Sequence, residues 1–98
     1  MQVDLHTHTT ASDGQLKPEE LVRQAVMNGV ELLSITDHDT VAAYAELDAH
    51  THEDFRLIAG IEFSSRWRKI GIHIVGLNVD LRHSALTEGI KIYINLII

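Results

Sequence analysis

Four apolar runs long enough to be strands each carry, or lead directly into, an imidazole or a carboxylate. The first, residues 2–8, carries His6 and His8. The second, Glu31 to Thr36, leads into the polar turn Asp37-His38-Asp39-Thr40. The third, Phe55 to Phe63, has Glu62 near its end, and the fourth, Ile70 to Leu77, encloses His73. Helical signals fall between them. Pro18 suits a first helical position, Glu19 and Glu20 suit the positive end of the dipole, and Leu21, Val22, Ala25 and Val26 form a stripe. Gly29 after Asn28 is a stop signal, so a helix is expected over 18–28. The Ala-rich stretch from Val41 to about His50 reads as a second helix, and Ser64 to Lys69 as a polar connection. Strand–helix–strand–helix–strand order predicts an α/β fold with parallel neighbours, although no helix separates the third and fourth runs. Strand ends of such a sheet gather on one face, where active sites are built.

The first run is the most specific. Alternation along a strand sends Asp4, His6 and His8 to one face, and the two imidazoles lie about 7 Å apart along the backbone. That is within reach of one cation, and Asp13 adds a hard oxygen donor from a Gly-containing turn. The chain has no cysteine, so a metal must be held by imidazole and carboxylate. Zn, Mn and Fe suit such donors about equally. Ninety-eight residues fit one domain, burying only about 60–65% of the unfolded surface. A net charge of −6 argues against a general nucleic-acid surface. Two or three divalent ions would bring about +4 to +6 and attract a phosphate without basic side chains. With no signal peptide and no membrane segment, the expected setting is cytoplasmic.

Each candidate also has a plain structural reading. His38 in an Asp-His-Asp turn can be a cap, and Asp37 and Asp39 can orient it or cap the turn. Glu62 can pair with a Lys or Arg, yet burying a carboxylate unpaired is costly and favours a cation nearby. His73 can be a satisfied core histidine. His50, His52 and His83 are expected at the surface. Arg66, Trp67, Arg68 and Lys69 read as a solvated turn with one aromatic packed down. Ala85 to Gly89 resembles a helix start. Ile90 to Ile98 is β-branched and far short of the roughly 20 apolar residues that span a bilayer. Its composition is that of an aggregation-prone strand.

DLHTHTTASDG, ITDHDT, GIEFSS and HIVGL together resemble the first four motifs of the polymerase-and-histidinol-phosphatase (PHP) superfamily. The similarity is greatest to its small stand-alone phosphoesterases, which act on nucleoside bisphosphates and short RNA 5′ ends. It covers residues 2 to about 82 and implies the N-terminal portion of a distorted (β/α)7 barrel, with 83–98 an atypical tail. The barrel's later strands, its remaining ligands and its phosphate-gripping basic residues would lie beyond residue 98. The resemblance implies that His6 and His8 hold one ion, that Glu62 bridges it to a second bound by His73, and that Asp13 and His38 bind a third. It also implies a small phosphorylated substrate, a nucleotide or short RNA end, hydrolysed by metal-activated water with no side-chain nucleophile. The alternative is a truncated, catalytically inactive metal-binding or interaction fragment of such an enzyme.

Overall fold

The computed structural model describes residues 1–47 and 54–82, with backbone alone at 65–67. In chain order these form β1 (Val3–Thr7), α1 (Pro18–Met27), β2 (Leu32–Ile35), a 3-10 helix (Ala42–Glu46), β3 (Arg56–Trp67) and β4 (Ile70–Leu77). The sheet runs β1-β2-β3-β4, parallel across its first two pairings and antiparallel across the last. This is the α/β arrangement read from the sequence, with the missing third helix replaced by a hairpin. The expected surface histidines His50, His52 and His83 and the tail 83–98 lie outside the described residues.

Local chemistry sets α1. Pro18 opens it, Glu19 and Glu20 occupy its first turn, and Gly29 closes it at φ 81°. The Val30 N–H donates to the Ala25 carbonyl at 3.0 Å and Gly29 N–H to that of Val26 at 3.1 Å. That is a Schellman close, which only a residue tolerant of positive φ permits cheaply. The helix buries Pro18, Val22 and Ala25. Val22 and Ala25 join Leu33, Ile35, Ala43 and Phe55 in the core. Val26, expected in the stripe, is 46% exposed. Among the described residues no helix is long and apolar enough to cross a membrane.

Two expectations are corrected. The helix expected from Val41 is a five-residue 3-10 turn, and Leu47 after it is already extended. Tyr44 gives the reason. Its hydroxyl lies between β2 and β3, 3.0 Å from Ile35 N, 2.9 Å from Gly60 N, 2.6 Å from Ile35 O and 3.1 Å from Ile58 O. A phenol has one hydrogen and two lone pairs. It therefore accepts from both N–H groups and donates to one carbonyl at a time. Seating that hydroxyl holds the segment against the sheet. Residues 64–67 are likewise not a connection: β3 continues through them, in register with β4 from Gly60↔Leu77 to Trp67↔Ile70. Polar side chains do not prevent pairing once a partner strand supplies the ladder. The hairpin turns at Arg68, whose φ is 57°.

Tyr44→Phe should cost about 1–3 kcal/mol, because backbone groups lose a partner where water has little access. Urea unfolding of both proteins measures this. Burial also pushes the Tyr44 phenol above its ordinary value, against the lowering effect of the Gly60 and Ile35 N–H groups. The unfolded chain then releases that proton first, so this contribution is complete below about pH 10 and is lost as pH rises through the raised value. Tyr44→Phe should flatten that alkaline decline; an unchanged slope would show that the hydroxyl is solvated.

Candidate metal centre

The six residues singled out in the sequence come from β1 (His6, with His8 just past its end), the loop after it (Asp13), the turn after β2 (His38) and the interiors of β3 (Glu62) and β4 (His73). Glu62 thus lies well inside its strand rather than near its end. On β1 the register shifts between Asp4↔Leu33 and Thr7↔Ile35, so three steps on β1 face two on β2. Such a bulge re-aims side chains locally. The His6 and His8 Nε2 atoms end 3.2 Å apart. Beyond the end of β2, pairing with β3 resumes at a His38↔Glu62 bridge. Glu62 N–H donates to Asp37 O at 3.0 Å and Asp39 N–H to Glu62 O at 2.9 Å. On β4, His73 lies opposite Ser64, two residues beyond Glu62 along β3 and so on the same sheet face.

Glu62 is at the centre, 4% exposed. Its Oε1 is 3.2 Å from His6 Nε2, 3.1 Å from His8 Nε2 and 3.8 Å from His38 Nδ1; its Oε2 is 3.1 Å from His73 Nδ1. Asp13 bridges two of the same rings, with Oδ1 3.3 Å from His8 Nδ1 and Oδ2 3.1 Å from His38 Nε2. The rings follow one another at centroid spacings of 5.1 Å (His6–His8), 4.4 Å (His8–His38) and 5.5 Å (His38–His73). Three overlapping donor groups result: His6/His8/Glu62, His8/Asp13/His38 and His38/Glu62/His73.

These groups fit a divalent cation. Donors about 2.0–2.1 Å from one ion at tetrahedral angles lie about 3.3 Å from each other. Most of the spacings above are 3.1–3.3 Å. Glu62 Oε1 and His8 Nδ1 are also buried without a hydrogen-bond partner among the described residues. Buried polar atoms are ordinarily satisfied, so Glu62 Oε1, unpartnered among the His6 and His8 Nε2 atoms, marks a place for a cation.

The sequence did not signal the supports of this cage. Asp37, read as orienting His38 or capping its turn, does so from a distance: its carboxylate accepts Thr9 N–H at 2.6 Å and the Thr9 and Ser12 hydroxyls at 2.7 Å each. Asp39, at φ 56°, accepts Ser64 N–H at 3.0 Å. These bonds join residues 25 to 28 positions apart, beyond any local pattern.

One sheet face and the loops beside it pool imidazoles and carboxylates around shared positions, the mark of a metal-binding class of α/β protein. This chain belongs to the PHP domain family, whose model matches residues 4–96. A 5′-3′ exoribonuclease of Haemophilus influenzae is 49% identical over 85 residues, covering 86% of this chain and 31% of its own length. For 5′-3′ exoribonuclease Rnm of Escherichia coli the identity is 51% over 88 residues, with 87% and 30% covered. A 3′,5′-nucleoside bisphosphate phosphatase of Chromobacterium violaceum is 38% identical over 90 residues, with 91% and 32% covered. Among solved structures, a Chromobacterium violaceum amidohydrolase with bound sulfate and no metal superposes at TM-score 0.82 and 37% identity, covering 93% of this chain and 32% of that one. The chain thus spans about a third of the length of these relatives.

Divalent ion should stabilise the folded chain. At a hundredfold excess over Kd the gain is about 2.7 kcal/mol per site, read as a higher melting temperature in Mn²⁺ or Zn²⁺ than in chelator. His8→Ala should remove most of that shift, since His8 belongs to two of the three groups. Equal shifts in both proteins would contradict the assignment.

Proposed function

We propose that this chain carries the ligand-bearing strands of a metal-dependent phosphoesterase that hydrolyses phosphate esters of nucleotides or short RNA 5′ ends. The supporting observation is the convergence of the three donor groups on the buried Glu62 carboxylate. In this reading His6, His8 and Glu62 hold one ion, Glu62 and His73 a second, and Asp13 and His38 a third. The pairing of Asp13 with His38 is supported by their 3.1 Å contact, against 3.8 Å from His38 to Glu62. The relatives named exoribonuclease and bisphosphate phosphatase support the substrate class. Nucleotides and RNA ends are cytoplasmic compounds, and we place the protein there.

When bound, divalent ions supply hydroxide from water near neutral pH and neutralise phosphate charge. The chain's own residues do the rest. The two oxygens of Glu62 face opposite ligand sets, Oε1 towards His6 and His8 and Oε2 towards His73, so one carboxylate fixes their separation. The side chains of His6, His73 and Asp13 are 54%, 53% and 65% exposed against 6% for Glu62, so the shared carboxylate is shielded while its partners surround it. Hydrolysis there breaks the P–O ester bond; water gives its oxygen to phosphorus and a proton to the departing alcohol.

A second reading, a metal-binding chain without turnover, is favoured by the sharing of His8, His38 and Glu62 between groups. Incubation with a nucleoside 3′,5′-bisphosphate and with a 5′-phosphorylated oligoribonucleotide in Mn²⁺ separates the two. We expect release of phosphate or mononucleotide, falling in Glu62→Gln by more than the about 10–100-fold that losing a ligand's supporting partner costs. Metal uptake without any product would select the second reading.

A further inference from the structure

Asp37 is a second buried carboxylate, 1% exposed and built into none of the donor groups. Oδ1 accepts the Thr9 N–H at 2.6 Å and the Ser12 hydroxyl at 2.7 Å, while Oδ2 accepts the Thr9 hydroxyl at 2.7 Å. Bonds to an ionised acceptor are short and about twice as strong as neutral ones. Thr9 is 0% exposed and is itself the knot of its loop. Its carbonyl accepts N–H from Ser12 at 3.1 Å and Gly14 at 2.8 Å, and its hydroxyl accepts Ala11 N–H at 3.1 Å. The loop closes so tightly that a Cβ at Gly14 would lie 2.3 Å from the His8 carbonyl oxygen.

Asp13 sits between Ser12 and Gly14, both tied to Thr9. Its own side chain is 65% exposed, so its position comes from the loop backbone rather than from packing. His38 follows Asp37 directly. One carboxylate thereby fixes the backbone on both sides of the 3.1 Å Asp13–His38 contact. His6, Glu62 and His73 are placed instead by strand pairing.

We propose that Asp37 is a positioning residue that, through Thr9 and Ser12, sets the affinity of the cation site formed by Asp13 and His38, without itself touching an ion. This rests on the metal-binding part of the function proposed above, and goes beyond it by separating two sites with different supports. Loosening the loop weakens one ion and leaves the His6/His8/Glu62 ion in place.

The test is Co²⁺ titration of the whole chain, followed calorimetrically and by the visible ligand-field spectrum. Asp13→Ala identifies the class of sites that Asp13 serves. Asp37→Asn should weaken that class by about tenfold or more, the scale of a lost supporting partner, and change the other by less than twofold. Ser12→Ala, which keeps the Asp37 charge, should weaken the same class to a smaller degree, distinguishing positioning from a long-range charge effect. Combined with Asp13→Ala it should add nothing, as expected of groups acting through one another. Equal weakening of both classes by Asp37→Asn would overturn the proposal. So would a wild-type titration for Asp13→Ala, which would leave the phosphoesterase reading standing on His6, His8 and Glu62. Should Asp37→Asn fail to fold by far-UV circular dichroism, Ser12→Ala decides, and no change in the Asp13 class refutes the positioning role.

Discussion

The centre depends on the burial of one negative charge. Glu62 is 4% exposed, and the groups around its carboxylate are the imidazoles of His6, His8, His38 and His73. Desolvating a carboxylate costs several kcal/mol unless charge or hydrogen bonds offset it. Asp37 is buried as deeply, but three donors satisfy it. Glu62 Oε1 has none among the described residues. The two acids therefore have opposite meanings. Asp37 is complete as folded and holds a loop, whereas Glu62 is complete only with positive charge among the rings. Burial alone would not separate them; the bonding of each oxygen does.

The sheet creates this situation by a short interruption. β2 pairs with β3 as far as Ile35↔Ala59, and pairing resumes at His38↔Glu62 with the same offset, 59 − 35 = 62 − 38 = 24. Tyr44 places its hydroxyl at the edge of the break and satisfies backbone groups there. Gly60 lies in the break, where a Cβ would meet the Ser34 hydroxyl at 2.3 Å and the Thr36 methyl at 2.8 Å. Keeping the register across the gap matters because a one-residue slip turns every following side chain to the opposite face. With the offset preserved, the Glu62 carboxylate reaches the donors of β1 and of the His38 turn.

Much of this was legible in the sequence, for identifiable reasons. The strands show as apolar runs, α1 as a Pro-to-Gly segment with an apolar stripe, and the ligands as polar residues where apolar runs end. What stayed hidden depends on distant partners. The stretch from Val41 has Ala-rich helical composition, but Tyr44 bonds β3 residues up to 16 positions away, and only a short 3-10 turn accommodates that. Ser64 to Trp67 is polar enough to read as a loop, yet β4 makes it a strand. Asp37 looked like a companion of His38 because it is its neighbour in sequence; its carboxylate partners are 25 and 28 residues back.

Lone-pair arithmetic then relates the donor groups to one another. His8 and His38 each belong to two groups, as does Glu62. A carboxylate can serve two ions, one through each oxygen, but a neutral imidazole offers one lone pair. If His8 uses Nε2 beside His6 and Glu62, its Nδ1 carries the proton and faces Asp13 Oδ1 at 3.3 Å. A ligand histidine whose second nitrogen donates to a carboxylate is held in one orientation, and that carboxylate is held in return. Asp13 Oδ2 is then left directed at His38 Nε2. Asp13 thus stands between two rings, one oxygen beside His8 Nδ1 and the other beside His38 Nε2. The single lone pair of the His8 ring therefore limits how many of the three donor groups can be fully coordinated at once.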